Sequence, residues 1–262
     1  MEFSTKVQIT NNAWQIQVED HILLLGSCFS TNMAEKMKEY FLQVEANPSG
    51  TLYNPISIVH HMDDAEVQKA DVIIVTFGTA WVYELEGRVV DNCEKKPANL
   101  FVRRRLTVEQ IVDAWRPVLD KYYNKRFIFT VSPIRHIKDG LHENQISKGI
   151  LLQAVDALQK GTKARTVYFP SYEILMDELR DYRYYDEDML HPSKTAISYI
   201  WERFRIVFMY GKSIAEKMHM LHQLWLNKNH KILKPDSQEA KAFQRQLARD
   251  EENPKKQFPW IK

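Results

Sequence analysis

The stretch Ile22-Leu23-Leu24-Leu25-Gly26-Ser27-Cys28-Phe29-Ser30 decides the fold that we predict for this chain. An apolar run ends at Gly26, and a helical pattern begins at once, with apolar residues at three- and four-residue spacing: Met33, Ala34, Met37, Tyr40 and Phe41. A buried strand that turns sharply into a helix exposes the turn at the strand's carboxyl end, beside free backbone N–H groups. Ser27 and Cys28 are therefore adjacent candidate nucleophiles. The alternative is that Cys28 is only a small buried apolar residue.

The bulk composition is that of a globular protein, and the length fits one large domain or one domain with an appendage. The 262 residues are 44% hydrophobic and 27% charged, which allows a sizeable core. A net charge of +2 gives no electrostatic case for a nucleic-acid partner, and two cysteines are too few for a disulfide framework. The N-terminal residues lack the apolar core of a signal peptide, and no apolar run reaches membrane-spanning length. We therefore expect a cytoplasmic protein without a membrane partner.

Strand and helix patterns alternate between residues 22 and 207. Buried strands are predicted over 22–25, 72–75, 127–131 and 166–169, with a short one at 43–46. Helices are predicted over 31–42, 55–61, 108–122, 143–159 and 192–207. This alternation predicts an α/β fold of three layers, a flavodoxin-like parallel sheet with helices on both faces. Ligands bind outside the carboxyl ends of the strands in such a sheet.

Residues 79–106 interrupt this alternation on the ligand side of the sheet. The segments Trp81–Tyr83 and Arg88–Val90 flank Glu86-Gly87 and predict a hairpin. Trp81 and Tyr83 would then form an aromatic platform for a sugar or an acyl chain. The alternative is that both rings pack on the hairpin's own face.

The C-terminal part is predicted to be a basic helical extension. Residues 211–262 carry eleven Lys and Arg against six Asp and Glu. A helical stripe runs through Ile214, Met218, Leu221 and Trp225, and a second helix starts near Ser237. We divide the chain into a body over 1–208, with an insertion at about 80–106, and an extension over 209–262. The extension packs on the body or on a second copy, which would give a homo-oligomer.

Residues capable of chemistry recur at the predicted strand ends. A turn over 45–51 follows the short strand and offers the Gly50 N–H to a pocket. Near the end of the body comes Asp188-Met189-Leu190-His191-Pro192. In this Asp-x-x-His spacing the Asp188 carboxylate reaches back to the His191 imidazole and fixes its tautomer, while the other ring nitrogen faces a nucleophile.

Arg135 and His136 follow a predicted strand at the same edge of the sheet. They are candidates for binding a carboxylate or the hydroxyls of a sugar, the arginine through its planar fork. The alternative is that they anchor the Asp139-Gly140 turn, with Arg135 paired to a local acid. His60-His61 has no third ligand in spacing, and no phosphate loop or dinucleotide fingerprint is present, so the sequence predicts no metal and no cofactor.

In this order the segments resemble those of the SGNH (GDSL-type) hydrolases, and specifically the branch called the GSCFA family. The resemblance covers roughly residues 22–207 and rests on Gly26-Ser27-Cys28-Phe29-Ser30, Tyr53-Asn54-Pro55-Ile56-Ser57-Ile58, Thr76-Phe77-Gly78-Thr79-Ala80-Trp81-Val82-Tyr83, Ser132-Pro133-Ile134-Arg135-His136 through Asp139-Gly140, and Asp188-Met189-Leu190-His191-Pro192-Ser193. It implies an SGNH-type fold and an acyl-ester hydrolase or acyltransferase acting on a small or carbohydrate-linked ester. In that reaction His191 would be the general base, Asp188 would orient it, and the turn and Gly50 N–H groups would hold the oxyanion.

Two departures from the wider SGNH pattern affect the expected chemistry. Aligning Gly26 with the first glycine of Gly-Asp-Ser puts Cys28 on the nucleophile position, whereas matching by chemistry makes Ser27 the nucleophile. Ala80 stands where that superfamily has an oxyanion-binding asparagine, and losing one such donor costs about 2.7–4 kcal/mol of transition-state stabilisation. Asn54 is the nearest replacement, with capping of the helix at Pro55 as its alternative role.

A thiolate tolerates a weakened oxyanion hole better than a hydroxyl does, because it is the stronger nucleophile. With His191 and a helix N-terminus beside it, Cys28 is expected to have a lowered pKa. Its sulfur should lie about 3–4 Å from the His191 ring. The competing hypothesis is a binding or scaffold protein on the same fold that has lost its chemistry, with Ala80 as the first sign.

Overall fold

The computed structural model describes residues 4–10, 14–91, 96–232 and 235–261. Its strands are β1 (His21–Gly26), β2 (Gln43–Ala46), β3 (Val72–Phe77), β4 (Trp81–Leu85), β5 (Arg88–Val90), β6 (Val102–Arg105), β7 (Arg126–Val131) and β8 (Arg165–Phe169). Its helices are α1 (Cys28–Lys38), α2 (Pro55–His60), α3 (Ala65–Lys69), α4 (Val108–Lys121), α5 (Leu141–Gln159), α6 (Ser171–Glu173, continued by a π-helix over Ile174–Leu179), α7 (Lys194–Phe208), α8 (Lys212–Lys228) and α9 (Gln238–Gln257). Short 3-10 turns span Ala98–Leu100, Ile137–Asp139 and Tyr182–Tyr184.

The predicted α/β fold is confirmed. Five strands form a parallel sheet in the order β2-β1-β3-β7-β8. Alternate residues of β1 enter different cores: Leu24 packs with residues of α1 and α7, and Leu25 packs with residues of α4 and α5. The helices therefore cover both faces, which makes three layers. The chain leaves β1 to opposite sides for β2 and β3, and this switch point opens a crevice at the strand ends.

Helix α1 begins three residues earlier than the sequence pattern predicts. The Ser27 hydroxyl accepts a hydrogen bond from the Phe29 N–H at 3.4 Å and caps the helix. Cys28 is therefore the first helical residue, where the pattern placed only a turn. Helix α7 starts at Lys194 rather than at residue 192, because Ser193 is its N-cap.

The insertion contains the predicted hairpin and one strand more. β4 pairs antiparallel with β5, and on its other edge with β6. The sequence of β6, Val102-Arg103-Arg104-Arg105, has no apolar alternation, so its pattern gave no strand signal. The pairing places Arg103 opposite Tyr83 and stacks its guanidinium 4.3 Å from the Trp81 ring.

The C-terminal helices pack on the body of the molecule. Four residues of α8 join the core beneath β1 and α1: Ile214, Met218, Leu221 and Leu224. After α9, Phe258 is fully buried in the same core, and the Trp260 indole N–H donates to the Phe41 carbonyl at 2.8 Å. Association of two copies through these helices stays a prediction. Within the described ranges, no helix combines the length and the apolar character needed to cross a bilayer.

A single close approach sets the geometry of the turn after β1. Gly26 has a φ of +133°, and a Cβ built on it would lie 2.1 Å from the Thr76 carbonyl oxygen of β3. Glycine is the residue that tolerates both the positive φ and the contact. Two further bonds hold the turn: the Gly26 N–H donates to Asn47 Oδ1 at 2.8 Å, and the Ser30 hydroxyl donates to Thr76 Oγ1 at 2.8 Å.

We expect Gly26→Ala to destabilise the protein by roughly 2–5 kcal/mol, because the methyl group must displace β3 backbone at a strained φ. The free energy of unfolding in urea measures this. Gly149→Ala is the control: it lies inside α5 with nothing within 4 Å of the added Cβ, and should stabilise by about 0.5–1 kcal/mol. Equal effects of the two changes would contradict the close approach.

Candidate active site

Loops after three neighbouring strands interlock at the carboxyl edge of the sheet. The Tyr53 carbonyl accepts from the N–H groups of Gly78 and Thr79, at 2.9 and 2.8 Å. A Cβ on Gly78 would lie 2.7 Å from the Tyr53 carbonyl oxygen and 3.4 Å from the Ser27 Cβ. The loop after β3 is thus packed between the turn at residues 26–28 and the loop that follows β2.

A relay of three side chains lies at this edge. Cys28 Sγ is 3.6 Å from His191 Nε2, within the range expected for Cys28 as the attacking group. His191 Nδ1 is 2.5 Å from Asp188 Oδ2. A carboxylate only accepts hydrogen bonds, so Nδ1 carries the hydrogen and Nε2 is left to accept the proton of the thiol.

The loop backbone fixes the charge of Asp188. Its Oδ1 accepts from the N–H groups of His191 at 3.0 Å and Leu190 at 2.8 Å. These bonds and the His191 ring lower the pKa of Asp188 to about 2. The carboxylate therefore stays ionised above about pH 2 and holds the His191 tautomer across the physiological range.

The expectation of a lowered Cys28 pKa is wrong. Half-burial of the thiol raises its pKa, and the Asp188 charge adds to this. The N–H groups of Cys28 and Phe29 at the start of α1 act in the opposite direction but do not outweigh burial. The Cys28 thiol therefore stays protonated over a wider pH range than a free cysteine, and a preformed thiolate is disfavoured.

Ser27 faces inward, away from the relay. Its side chain is fully buried, its hydroxyl donates to Ser132 Oγ at 3.0 Å, and it caps α1 through the Phe29 N–H. In the described part of the chain, no contact joins it to His191. Ser27 therefore caps α1, as expected if Cys28 rather than Ser27 stands at the nucleophile position of the motif.

The Gly50 N–H does not reach the site. It donates to the Asn47 carbonyl at 2.8 Å and closes its own turn, so its assignment to the oxyanion hole is wrong. Asn54 caps α2: its Oδ1 accepts from the Ser57 N–H at 2.9 Å and its Nδ2 donates to Ser57 Oγ at 2.8 Å. Asn54 also borders the cavity beside Cys28, so capping and a contact with a ligand are compatible. Ala80 is fully buried.

A cavity of about 640 Å³ opens over the relay. It brings together most of the residues singled out from the sequence, which are Cys28, Asn54, Trp81, Tyr83, Arg135, His136 and His191. Trp81 and Tyr83 border it while also packing within the insertion, where Tyr83 meets Phe101 edge to face. Arg135 lies over the rings of Tyr185 and Tyr182. The alternative, that Arg135 and His136 anchor the Asp139-Gly140 turn, involves the Asp139 side chain, which lies outside the described residues.

The GSCFA family profile matches residues 21–67 and 64–204, the part of the chain that builds the sheet and the relay. This chain belongs to the GSCFA family.

Solved structures similar to this GSCFA protein include Axe2, an acetylxylan esterase from Geobacillus stearothermophilus, at 10% identity and a TM-score of 0.47, covering 75% of this chain and 98% of that one. An acetyl esterase variant with an acetate ion is 11% identical, with a TM-score of 0.42 and coverage of 78% and 98%. A carbohydrate esterase of family 3 from Talaromyces cellulolyticus is 10% identical, with a TM-score of 0.39 and coverage of 70% and 93%. No curated protein matches the chain.

Beneath the site of this GSCFA protein lies a buried lysine that the sequence reasoning missed. Lys148 Nζ donates to the carbonyls of Gly78 and Ser132, both at 2.7 Å, and ties the loops after β3 and β7 together. Burial lowers the pKa of Lys148 to about 7. The sequence contained a pattern that indicates this lysine: the polar residues Asn144, Ser147 and Lys148 interrupt the apolar face of α5 at helical spacing.

Among the described residues, no group of three His, Cys, Asp or Glu side chains is arranged to hold a metal ion. The two adjacent histidines both contact the carboxylate of Asp91. His60 Nδ1 is 2.8 Å from Asp91 Oδ1, and His61 Nε2 is 2.9 Å from Asp91 Oδ2.

The raised pKa of Cys28 predicts slow alkylation near neutral pH, because the thiolate is the form that reacts. In a Cys93→Ser background, iodoacetamide should modify Cys28 at pH 7 more slowly than it modifies N-acetylcysteine, with the rate still rising above pH 9. The same variant unfolded in urea is the control and should react like the free thiol. Faster reaction than the free thiol at pH 7 would indicate a preformed thiolate and contradict the raised pKa of Cys28.

Lys148 predicts a specific pH dependence of stability. Its folded-state pKa lies below the unfolded value, so between about pH 7 and 10 the unfolded chain binds more protons and stability rises with pH. The unfolding free energy of wild type minus that of Lys148→Met should therefore increase by about 1–3 kcal/mol from pH 6 to pH 9. Urea titrations of both proteins at each pH measure it, and groups that titrate alike in both cancel. A constant difference would contradict the assignment.

Proposed function

We propose that this GSCFA protein is an acyl-ester hydrolase of SGNH type that acts on a small or carbohydrate-linked ester through Cys28, His191 and Asp188. The observation that carries the proposal is the relay itself. A thiol on the first residue of a helix lies 3.6 Å from an imidazole whose other nitrogen is 2.5 Å from an ionised carboxylate. The resemblance to the SGNH hydrolases in the order of the motifs supports the same chemistry.

The relay supports a sequence of proton transfers through one imidazole. As Cys28 Sγ bonds to the acyl carbon, the thiol proton moves to His191 Nε2, and the carbonyl oxygen becomes an oxyanion. When the tetrahedral adduct collapses, His191 returns that proton to the departing alkoxide and a thioester remains. Water, deprotonated by Nε2, then hydrolyses the thioester. An alcohol in place of water would make the protein an acyltransferase.

Backbone N–H groups at the start of α1 are the proposed main donors to the oxyanion. The N–H groups of Cys28 and Phe29 already face the sulfur closely enough to lower its pKa. Asn54 supplies a further donor in this proposal, because its Nδ2 carries a second hydrogen besides the one given to Ser57 Oγ. These donors would take the place of the asparagine carboxamide that is missing because residue 80 is an alanine.

Burial decides between the adjacent nucleophiles in this proposal. Ser27 would have to break its bond to Ser132 Oγ and uncap α1 before it could approach His191. Cys28 is half-buried, borders the cavity and needs no rearrangement.

One observation favours a second candidate, a binding protein that keeps the fold without turnover. Ala80 removes one oxyanion donor, and the raised pKa of Cys28 leaves the thiol unactivated at rest. The same cavity would then hold a ligand without cleaving it.

A panel of p-nitrophenyl acyl esters separates the candidates. We expect Cys28→Ala and His191→Ala each to lower kcat/KM by about a thousandfold, because each change removes one member of a group that acts as a unit. Mass spectrometry of wild type should find the acyl group on the peptide that contains Cys28.

Ser27→Ala is the matched variant. It should cost about 1 kcal/mol of stability through the lost helix cap, while the acyl adduct still forms on Cys28. If turnover instead depends on Ser27 and survives Cys28→Ala, the enzyme is a serine esterase. If no ester is cleaved and no adduct forms, the binding protein is favoured.

A further inference from the structure

We propose that the cavity over Cys28 selects esters that carry a negative charge, and that Arg135 and Lys138 bind that charge. The inference rests on the proposed ester hydrolysis and narrows its substrate class. It concerns the part of the substrate that lies away from the reacting carbonyl.

The charges that border the cavity are unbalanced. Among the described residues that border it, Arg135 and Lys138 are cations that form no ion pair, and Asp91 is the one carboxylate. That carboxylate is 2.8 Å from His60 and 2.9 Å from His61, so it is already bonded to two imidazoles. Burial lowers the pKa of His61, but its hydrogen bonds to Asp91 and Asp64 outweigh this effect, so the pKa is raised. The cavity therefore attracts anions.

Arg135 is held in place by aromatic rings rather than by an acid. Its guanidinium carbon lies 4.0 Å from the centre of the Tyr185 ring and 4.9 Å from that of Tyr182. Its backbone N–H donates to the Leu190 carbonyl at 3.1 Å, which fixes it beside His191. Cation–π contacts orient a guanidinium without neutralising it, and its five N–H donors suit a carboxylate.

Lys138 is the second cation at this rim. Its Nζ donates to the Tyr83 hydroxyl at 2.8 Å and keeps two further hydrogens. Within the ranges that the structure describes, neither Lys138 nor Arg135 forms an ion pair. Two arginines of the insertion differ in this respect: Arg104 forms an ion pair with Glu84, and Arg105 forms one with Glu143. In the described ranges, acids pair with those two arginines and none pairs with Arg135 or Lys138.

Apolar side chains also line the cavity that these cations and Cys28 border. Ile134, Ile137, Val90 and Leu190 border the same cavity, together with the rings of Trp81 and Tyr53. A cavity of this size holds a molecule of small-ligand dimensions. The ligand chemistry that fits is an ester joined by an apolar spacer to a carboxylate or another anion.

Matched ester pairs test the charge preference. Mono-4-nitrophenyl adipate differs from 4-nitrophenyl hexanoate by a terminal carboxylate on the acyl side, and 4-acetoxybenzoate differs from 4-acetoxybenzamide on the alcohol side. In at least one pair, kcat/KM should favour the anionic ester. That ratio should fall about three- to tenfold in Lys138→Met and in Arg135→Gln, as expected for one charge contact.

The control variant is Lys160→Met, which removes an equal charge from an exposed lysine at the far end of α5 and should leave the ratio unchanged. Circular dichroism confirms the fold of each variant. A ratio that stays near one in both pairs, or that is unaffected by both rim variants, overturns the proposal.

A binding measurement keeps this inference separate from catalysis. With Cys28→Ala, isothermal titration calorimetry should show hexanoate, an anion, binding more tightly than neutral hexanamide, with the difference lost in the added Lys138→Met and Arg135→Gln changes. If no ester is hydrolysed but this difference is present, the proposed hydrolysis fails and the anion site stands. Equal or absent binding of hexanoate and hexanamide overturns the anion site, whatever the esters show.

Discussion

The contact between Gly26 and the Thr76 carbonyl is the constraint on which the rest of the site depends. It lets β1 end flush against β3, with space for no side chain between them. The loop after β3 then presses on Ser27, and the carbonyl of Gly26 accepts from the Leu52 N–H at 3.0 Å, which positions the loop that carries Asn54. A larger residue at position 26 would move three loops at once.

The surroundings of Asp188 and Cys28, which lie on either side of the His191 ring, shift their pKa values in opposite directions. Asp188 is exposed but held by backbone N–H groups, so its charge is permanent. Cys28 is half-buried, so burial disfavours its thiolate form. The His191 ring therefore lies between a carboxylate that stays ionised and a thiol that stays protonated over a wider pH range than a free one. Lys148, buried beneath the loops, is a further ionisable group at the site. Its pKa of about 7 means that its charge changes near neutral pH.

The sequence predicted the elements whose signals are local. Four of the five parallel strands show as apolar runs, Ser237 caps the helix that was expected to start near it, and the Asp-x-x-His spacing placed Asp188 against His191. What it could not predict depends on partners distant in the chain. The arginines of β6 form a strand only because β4 offers an edge, and the Gly50 N–H is taken by a carbonyl of its own turn. The pKa of Cys28 depends on how deeply the packed loops bury it.

The core beneath β1 is assembled from residues as far apart as Ile16 and Ile261. Phe258 fills that core completely, and Trp260 bonds to the carbonyl of Phe41 just beyond the helix that begins with Cys28. During synthesis, α1 and α7 therefore meet this face of the sheet before its core is complete, since Phe258 and Ile261 are translated last. The apolar surface that these two residues cover stays exposed to water until then.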